Sequence, residues 1–220
     1  MKRLILVVCI LFSAFCFSQT AKEIIDKNIE VSGGIINWKL LNSVILQGVV
    51  TLGINDEYPI KILQKRPNLT KTSIIINKKE MAIEGFDGKK GYAMNYAANK
   101  LQVYPNYVPE SFDNDFIDWE NKGFDAKYLG KEKVGNNYCH KVQLTKNVNV
   151  NYYYFDTKTY MLVKEEKKDE VLNYSDYKKV GNLYFPFRIE SSSAKKESDY
   201  VINVNKIEVN KEFPANTFKF

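Results

Sequence analysis

The chain has few of the residues on which most enzyme chemistry depends. Its 220 residues include one histidine, His140, and three cysteines. One histidine rules out sites that need a histidine pair, and no cysteine–histidine cluster has the spacing of a zinc site. The nucleophile elbow Gly-x-Ser-x-Gly and a glycine-rich phosphate loop are also missing. We therefore predict that the chain is not an enzyme and carries no cofactor.

The titratable residues that remain do not form a catalytic or metal-binding pattern. His140 alternates with apolar residues of a predicted strand, which favours a packed or surface histidine over a catalytic one. Asp113, Asp115 and Asp118 resemble a calcium loop faintly, but the central glycine and the terminal glutamate of that loop are missing. We interpret these aspartates as a solvated helix face. The acidic residues at positions 165–170 bracket two lysines, which is typical of an exposed hairpin.

The first 18 residues have the organisation of a secretory signal. Lys2 and Arg3 precede an apolar run at positions 4–17, and Cys16 and Ser18 place small residues where a signal peptidase reads them. We expect cleavage after Ser18 or after Gln19, and hence export to the periplasm. A single domain then occupies residues 19–220.

Export changes the cysteine and charge content of the mature chain. Cys139 is left as its only cysteine, so it forms no internal disulfide and is expected to be a small buried hydrophobic residue. Phe15 stands where lipidation of Cys16 would require a small residue, which disfavours a lipid-anchored form. Loss of Lys2 and Arg3 lowers the net charge from +6 to +4, a mild excess that gives no reason to expect a nucleic-acid partner.

An amphipathic helix is predicted at the start of the mature domain. Thr20 and Glu23 have the spacing of a capping box, the apolar residues that follow form one stripe, and Gly33-Gly34 ends the helix. A short helical turn is predicted at residues 38–41. The apolar stripe has to be buried, most simply against a sheet.

The remainder of the chain is predicted to be rich in strands. Its apolar residues alternate, and the sequence contains 15 Tyr and 13 Phe, which favour strands. We predict antiparallel strands in a meander at residues 43–52, 58–64, 70–77, 80–86, 90–96, 127–134, 138–145, 150–156, 160–167, 171–180, 183–191 and 200–209. Pro186 implies that its strand lies at an edge or is bent. So many strands must curl or stack, which leaves a barrel, a half-barrel and a sandwich open.

The strand pattern is interrupted near residues 105–122. We predict an extended stretch and then a short helix from Ser111 to about Glu120. At helical spacing this insert carries an aromatic and apolar stripe of Phe112, Phe116, Ile117 and Trp119. Packing on the core, which is favoured, and lining of a ligand site both remain open for Phe112, Phe116 and Trp119, and the two overlap because a lid packs on the core when the site is empty.

A corner and a turn in residues 60–96 carry a family resemblance. In this part of the chain, a strand is followed by Arg66-Pro67-Asn68-Leu69, two strands, Asp87-Gly88-Lys89 and a further strand. In the order of these elements it resembles the periplasmic lipoprotein carrier (LolA-like) family. The resemblance implies an unclosed antiparallel β-barrel, or half-barrel, with helices as a lid over its open face. It also implies that Arg66 acts in lid closure and cargo handling; the alternative for Arg66 is an arginine at a strand end, solvated beside the turn. Asn95-Tyr96 departs from the asparagine-proline of those carriers.

The function implied by this resemblance is that of a carrier. Such a monomer binds the acyl chains of lipoproteins without a covalent bond, receives cargo from an inner-membrane exporter and delivers it to an outer-membrane receptor. The alternatives are a regulatory sensor of lipid or lipoprotein on the same fold, a secreted structural β protein without a cavity and, last, an exported hydrolase. The residues expected to form the lid or to contact cargo are Arg66, Pro67, Tyr92, Phe112, Phe116, Ile117, Trp119, Tyr152 and Tyr154.

Overall fold

The computed structural model describes residues 19–53, 56–105, 107, 109, 111–193 and 199–220. The predicted signal, residues 1–18, lies outside them. The described chain forms two helices and one antiparallel sheet of 13 strands. The helices are α1 (Ala21–Val31) and α2 (Ile35–Leu40). The strands are β1 (Ser43–Leu52), β2 (Asp56–Lys65), β3 (Leu69–Ile76), β4 (Lys79–Phe86), β5 (Gly91–Asn95), β6 (Lys100–Tyr104), β7 (Asp125–Val134), β8 (Asn137–Lys146), β9 (Asn149–Asp156), β10 (Leu162–Glu166), β11 (Glu170–Val180), β12 (Leu183–Ser193) and β13 (Tyr200–Val209).

The first helix begins and ends where the sequence predicts. Thr20 Oγ1 accepts a hydrogen bond from the Glu23 amide at 3.2 Å, and Glu23 Oε2 accepts one from the Thr20 amide at 2.9 Å. The Gly34 amide donates to the Ile29 carbonyl at 2.8 Å and closes the last turn. Ile24 and Ile25 are completely buried, so the apolar stripe of α1 packs on the sheet as expected.

The sheet is open because its two edge strands, β6 and β7, do not pair with each other. Each strand lies beside its neighbour in sequence, except that β6 and β7 lie at opposite edges and β1 lies beside β13 at the centre of the sheet. The chain therefore starts at the centre, runs outward to the edge strand β6, crosses to the opposite edge strand β7 and returns inward. The sheet is not closed into a barrel, which confirms the predicted half-barrel. The connection from β6 to β7 spans residues 105–124, and its part at residues 111–124 lies over the open face.

The part of this connection at residues 111–124, which we call the strap, is not a helix. It consists of consecutive turns, so the helix predicted from Ser111 to about Glu120 is wrong. Asn114 Oδ1 accepts hydrogen bonds from the amides of Phe116 and Ile117 at 3.0 and 3.2 Å and starts a single turn. Asp118 has a φ of +52°, in the left-handed region, and ends that turn.

One strand was missed, and one of the two alternatives for the strand with Pro186, an edge position, is excluded. The strand β6 was missed because its alternation lasts only five residues and ends directly before Pro105. The strand with Pro186 is not at an edge, because β12 lies between β11 and β13. It pairs with β13 only over Arg188–Ser191, so Pro186 lies where that ladder is not formed and its missing N–H leaves no gap there.

Buried apolar side chains form two clusters on the concave face, which we define as the face covered by α1, α2 and the strap. The central cluster comprises Leu41, Val44, Val50, Ile60, Ile74, Leu183, Phe187, Ile202, Val204 and Ile207. The lateral cluster comprises Ala21, Ile24, Ile25, Phe116, Val142, Leu144, Tyr153 and Phe155. The helices and the strap thus fill the space over the sheet with their own side chains.

Gly48 provides a test of the central strand pair. The register of β1 and β13 shifts between Gln47 and Gly48, and a Cβ atom on Gly48 would lie 2.3 Å from the Asn203 carbonyl oxygen and 3.0 Å from Val204 Cα. We expect Gly48→Ala to lower the free energy of unfolding by about 1–3 kcal/mol, because backbone cannot yield as a side-chain tip can. Urea unfolding measures this. Gln47→Ala, at the exposed neighbour, should be nearly neutral, and equal midpoints for the two variants would contradict the close approach.

Candidate functional site

The corner at Arg66 and Pro67 joins three parts of the chain. The Arg66 amide donates to the Asn42 carbonyl at 3.0 Å, directly after α2. The Arg66–Pro67 peptide bond is cis. The Pro67 carbonyl accepts a hydrogen bond from the Phe112 amide at 3.2 Å. The end of β2 is therefore attached by backbone hydrogen bonds both to the segment after α2 and to the strap.

The Arg66 guanidinium reinforces the same junction. Its Nε donates to the Leu41 carbonyl at 2.7 Å and its Nη2 to the Trp38 carbonyl at 3.0 Å. Nη1 and Nη2 each lie 2.6 Å from one carboxylate oxygen of Asp113, and the guanidinium lies 5.0 Å from the centre of the Phe112 ring. The Trp38 carbonyl also accepts the Leu41 amide at 3.2 Å, so the cation adds a second donor there, and its planar fork matches a carboxylate. This set of contacts, the Arg66 clasp, holds α2 and the strap together.

A second attachment of the strap lies on the other half of the sheet. Asp115 Oδ2 accepts a hydrogen bond from the hydroxyl of Tyr153 on β9 and lies 2.7 Å from Nζ of Lys146 on β8. Phe116 packs edge-on against Tyr153 and tilted against Phe155, with ring centres 4.9 and 5.3 Å apart. The strap thus bridges the concave face from β2 to β8 and β9.

Two further ion pairs connect the strap to the helices. Asp118 lies 2.8 Å from Lys39 of α2, and Glu120 lies 3.3 Å from Lys22 of α1. Both pairs are about half exposed, so each adds little to stability by itself. The prediction that the strap aspartates form a solvated helix face is wrong for the helix and for Asp113 and Asp115, which are partly buried in ion pairs, whereas Asp118 is exposed to solvent. Their partners Lys146 and Lys39 were missed, because nothing in the sequence relates lysines so distant along the chain to these acids.

The strap residues predicted for the site do come together over the concave face. Phe112 packs against the central cluster, while Phe116 belongs to the lateral cluster and Trp119 packs against it. Ile117 is 2% exposed. With Arg66 and Pro67 beside them, these side chains form one continuous layer between the two halves of the sheet.

The three tyrosines predicted for the site lie on the opposite, convex face. Alternation along β9 places Tyr152 and Tyr154 away from Tyr153, and the Lys141 ammonium lies 5.1 and 5.0 Å from the centres of their rings. Tyr92 stacks on Phe220 of the C-terminal tail, with ring centres 4.5 Å apart. The structure does not bring these tyrosines to the lid. The concave face of β9 carries Tyr153 and Phe155 instead.

Polar groups interrupt the apolar floor beside the lateral cluster. Glu165 on β10 is 7% exposed, accepts a hydrogen bond from the Tyr174 hydroxyl at 3.0 Å and lies 3.9 Å from Lys167 Nζ. Burial, together with the charge of Asp115, raises the pKa of Glu165. Burial also raises the pKa of Tyr153 and of Tyr174 well above the ordinary value, so both hydroxyls keep their protons and act as hydrogen-bond donors.

The remaining reactive side chains are packed. His140 is 2% exposed and stacks on Tyr160 at 5.4 Å, and burial lowers its pKa. Cys139 is completely buried, and burial raises the pKa of its thiol to about 11. Among the described residues, no group of three or more His, Cys, Asp or Glu side chains could hold a metal ion. Within the same residues, no helix has the length and apolar character needed to cross a bilayer.

Solved structures share this architecture along almost the whole chain. A domain named for outer membrane lipoprotein sorting from Vibrio parahaemolyticus is 10% identical, with a TM-score of 0.58 and coverage of 90% of this chain and 96% of its own. A LolA superfamily protein from Nitrosomonas europaea is 13% identical, with a TM-score of 0.58 and coverage of 92% and 99%. A DUF1329 family protein from Desulfovibrio piger is 9% identical, again with a TM-score of 0.58 and with coverage of 92% and 98%.

These structures define the class of fold. No family model and no curated protein sequence matches the chain. At 9–13% identity the likeness to solved structures is one of fold. The chain has the open half-barrel of LolA superfamily and lipoprotein-sorting proteins, which confirms at that level the resemblance inferred from the Arg66 corner.

The Arg66 clasp is testable by a double-mutant cycle. We expect Arg66→Ala and Asp113→Asn to show a coupling free energy of about 1–2 kcal/mol, because their charge-assisted hydrogen bonds are partly shielded from water. Chemical unfolding of the four proteins of the cycle measures it. Arg188 and Glu190, an ion pair more than 40% exposed on the sheet, form the control, for which we expect less than about 1 kcal/mol. Equal coupling in the two cycles would contradict a shielded clasp.

The buried carboxyl group of Glu165 should make the free energy of unfolding depend on pH. Its pKa is raised above 4.5 in the folded chain, so its buried carboxylate costs stability at neutral pH, and this cost disappears as the pH falls below 4.5. A glutamine can still accept the Tyr174 hydrogen bond and carries no charge. We therefore expect Glu165→Gln to raise the unfolding midpoint at pH 7 and to leave it unchanged near pH 4. A gain that is the same at both pH values would rule out the buried charge as its cause.

Proposed function

We propose that the mature chain is an exported carrier that binds the acyl chains of lipoproteins in its half-barrel and passes them towards the outer membrane. The observation that carries this proposal is the Arg66 clasp, which holds α2 and the strap over an apolar concave face. The names of two neighbours in fold, one from lipoprotein sorting and one from the LolA superfamily, agree with it.

The closed lid accounts for reversible binding. A buried acyl chain gains about 0.8 kcal/mol per methylene group, so an open apolar trough would hold two or three chains too tightly for a carrier. In this chain the trough is filled by Ile24, Ile25 and Phe116 from α1 and the strap. Cargo has to displace these side chains and break the Arg66 clasp, and this opposing free energy weakens binding and favours release.

The proposed carrier acts in the periplasm and exchanges cargo with two membrane proteins. The predicted signal at residues 1–18 would direct the chain to the periplasm, where we propose that it acts as a monomer. An exporter in the inner membrane would load it, and a receptor in the outer membrane would unload it. The hydroxyl donors and apolar surfaces of the concave face suit such a binding role, because they offer contacts to an acyl ester without an activated nucleophile.

The test compares the mature protein with Arg66→Leu in a release assay. Spheroplasts carrying newly made lipoproteins are incubated with each protein, and soluble one-to-one complexes are isolated and then challenged with outer-membrane vesicles. We expect wild type to release lipoproteins and to pass them on. Arg66→Leu should bind them but retain them roughly tenfold more tightly, because the lid competes less.

Arg188→Leu is the matched control, since Arg188 lies on the convex face and should leave both steps unchanged. Absence of any release from spheroplasts, together with failure to bind free acyl lipid, would contradict the carrier and favour a structural β protein. Lipid binding accompanied by a stable protein complex, without transfer to vesicles, would favour the sensor.

A further inference from the structure

Two adjacent strap residues make unlike contacts with the floor of the half-barrel. The Asp115 carboxylate meets Lys146 Nζ at 2.7 Å and the hydroxyl of Tyr153, both through Oδ2. The Phe116 ring enters the lateral cluster, where it is 4% exposed. A negative group and an apolar group joined by a short link thus occupy neighbouring sites on β8 and β9.

The floor residues would form a preorganised anion site without the strap. Lys146 and Tyr153 direct two donors at a single point, and the side-chain amide of Asn151 on the floor lies 3.2 Å from the Tyr153 hydroxyl and helps to position it. Among the described residues, Asp115 is the only carboxylate within 4 Å of Lys146 Nζ. The completely buried Val142 and Leu144 on β8 continue the floor as an apolar surface directly beside these donors.

We propose that Lys146 and Tyr153 bind the anionic polar end of an acyl chain, and that Asp115 and Phe116 occupy this subsite when the strap is closed. The inference rests on the proposed function and adds a ligand class to it. The carboxylate of Asp115 stands in for the charged end of the ligand, and the ring of Phe116 stands in for the first part of its acyl chain. Ligand and strap therefore compete for the same donors.

The charges around the subsite favour exchange of one anion for another. Glu165 lies close enough to Asp115 for the two charges to interact, and Lys167 lies 3.9 Å from Glu165. An anionic ligand that replaces Asp115 leaves the net charge of the site unchanged. A neutral ligand leaves the Lys146 ammonium without its carboxylate, which is unfavourable in a partly buried position, where the Lys146 side chain is 23% exposed.

The test measures selectivity between ligands with the same chain. A neutral fluorescent probe, N-phenyl-1-naphthylamine, is bound to the mature protein at pH 8 and displaced by laurate, dodecyl phosphate or dodecan-1-ol. We expect laurate and dodecyl phosphate to compete roughly tenfold better than the alcohol, the amount that a charge-assisted hydrogen bond supplies. Triacylated cysteine peptides with Glu or Gln at the next position extend the comparison to lipoprotein cargo.

Variants of the floor and of the strap separate the subsite from lid opening. Lys146→Met should remove the preference for anions, because it removes the positive charge of the subsite. The readout is the ratio of the affinities for laurate and for dodecan-1-ol, since lid opening changes both affinities alike and leaves their ratio unchanged. Asp115→Asn should keep the preference and strengthen laurate binding. Lys141→Met is the matched control: Lys141 lies on the other face of β8, is 22% exposed and pairs with Glu132, so the ratio should remain that of wild type.

The outcomes are distinguishable from failure of the proposed function. Equal displacement by laurate and alcohol, or an unchanged ratio in Lys146→Met, would overturn the anionic subsite while leaving a carrier of neutral acyl groups. No displacement by any amphiphile or lipopeptide would overturn both proposals. A preference for the Glu peptide over the Gln peptide assigns the subsite to lipoprotein cargo, and a preference confined to laurate and dodecyl phosphate assigns it to free anionic lipids. Either result supports the subsite.

Discussion

The crossing of the connection from β6 to β7 over the open face is the constraint on which the rest of the structure depends. The chain enters and leaves the sheet at its centre, through β1 and β13, so the two ends of the meander lie at opposite edges. One covalent segment has to join these edges. The described part of that segment, the strap, lies over the concave face, where Phe112, Phe116 and Trp119 pack against the two clusters.

Ion pairs hold this segment in place together with its buried apolar side chains and one backbone hydrogen bond to Pro67. The turns of residues 111–124 provide few hydrogen bonds to the sheet, and four acidic side chains replace them with ion pairs to Arg66, Lys146, Lys39 and Lys22. The inner two pairs are partly shielded, and the outer two are about half exposed. The strap covers the two clusters, and each of its ion pairs could be replaced separately by a contact with a ligand.

The Arg66 clasp and the proposed anion subsite both hold the strap through an aspartate. Arg66 binds carbonyls of α2 together with Asp113, and Lys146 with Tyr153 binds Asp115 two residues further along the strap. Asp113 and Asp115 are two residues apart on the strap, so a ligand that displaces Asp115 would also move the segment that carries Asp113. A ligand that competes at Lys146 would therefore also weaken the closure at Arg66, which couples occupation of the trough to movement of the strap.

The sequence by itself determined the elements that depend on local pattern. The capping box of α1, the alternation of twelve of the strands and the Arg66 corner follow from residues near one another, and they were sufficient for the half-barrel class once the family resemblance was added. The sequence pattern predicted a helix in the strap that does not form, because Asn114 and Asp118 divert the backbone into turns. The sequence also did not determine the lining face of β9 or the partners of the strap acids. Alternation gives two faces without saying which one is concave, and ion pairs between residues tens of positions apart exist only after the strands have curved and the connection has crossed them.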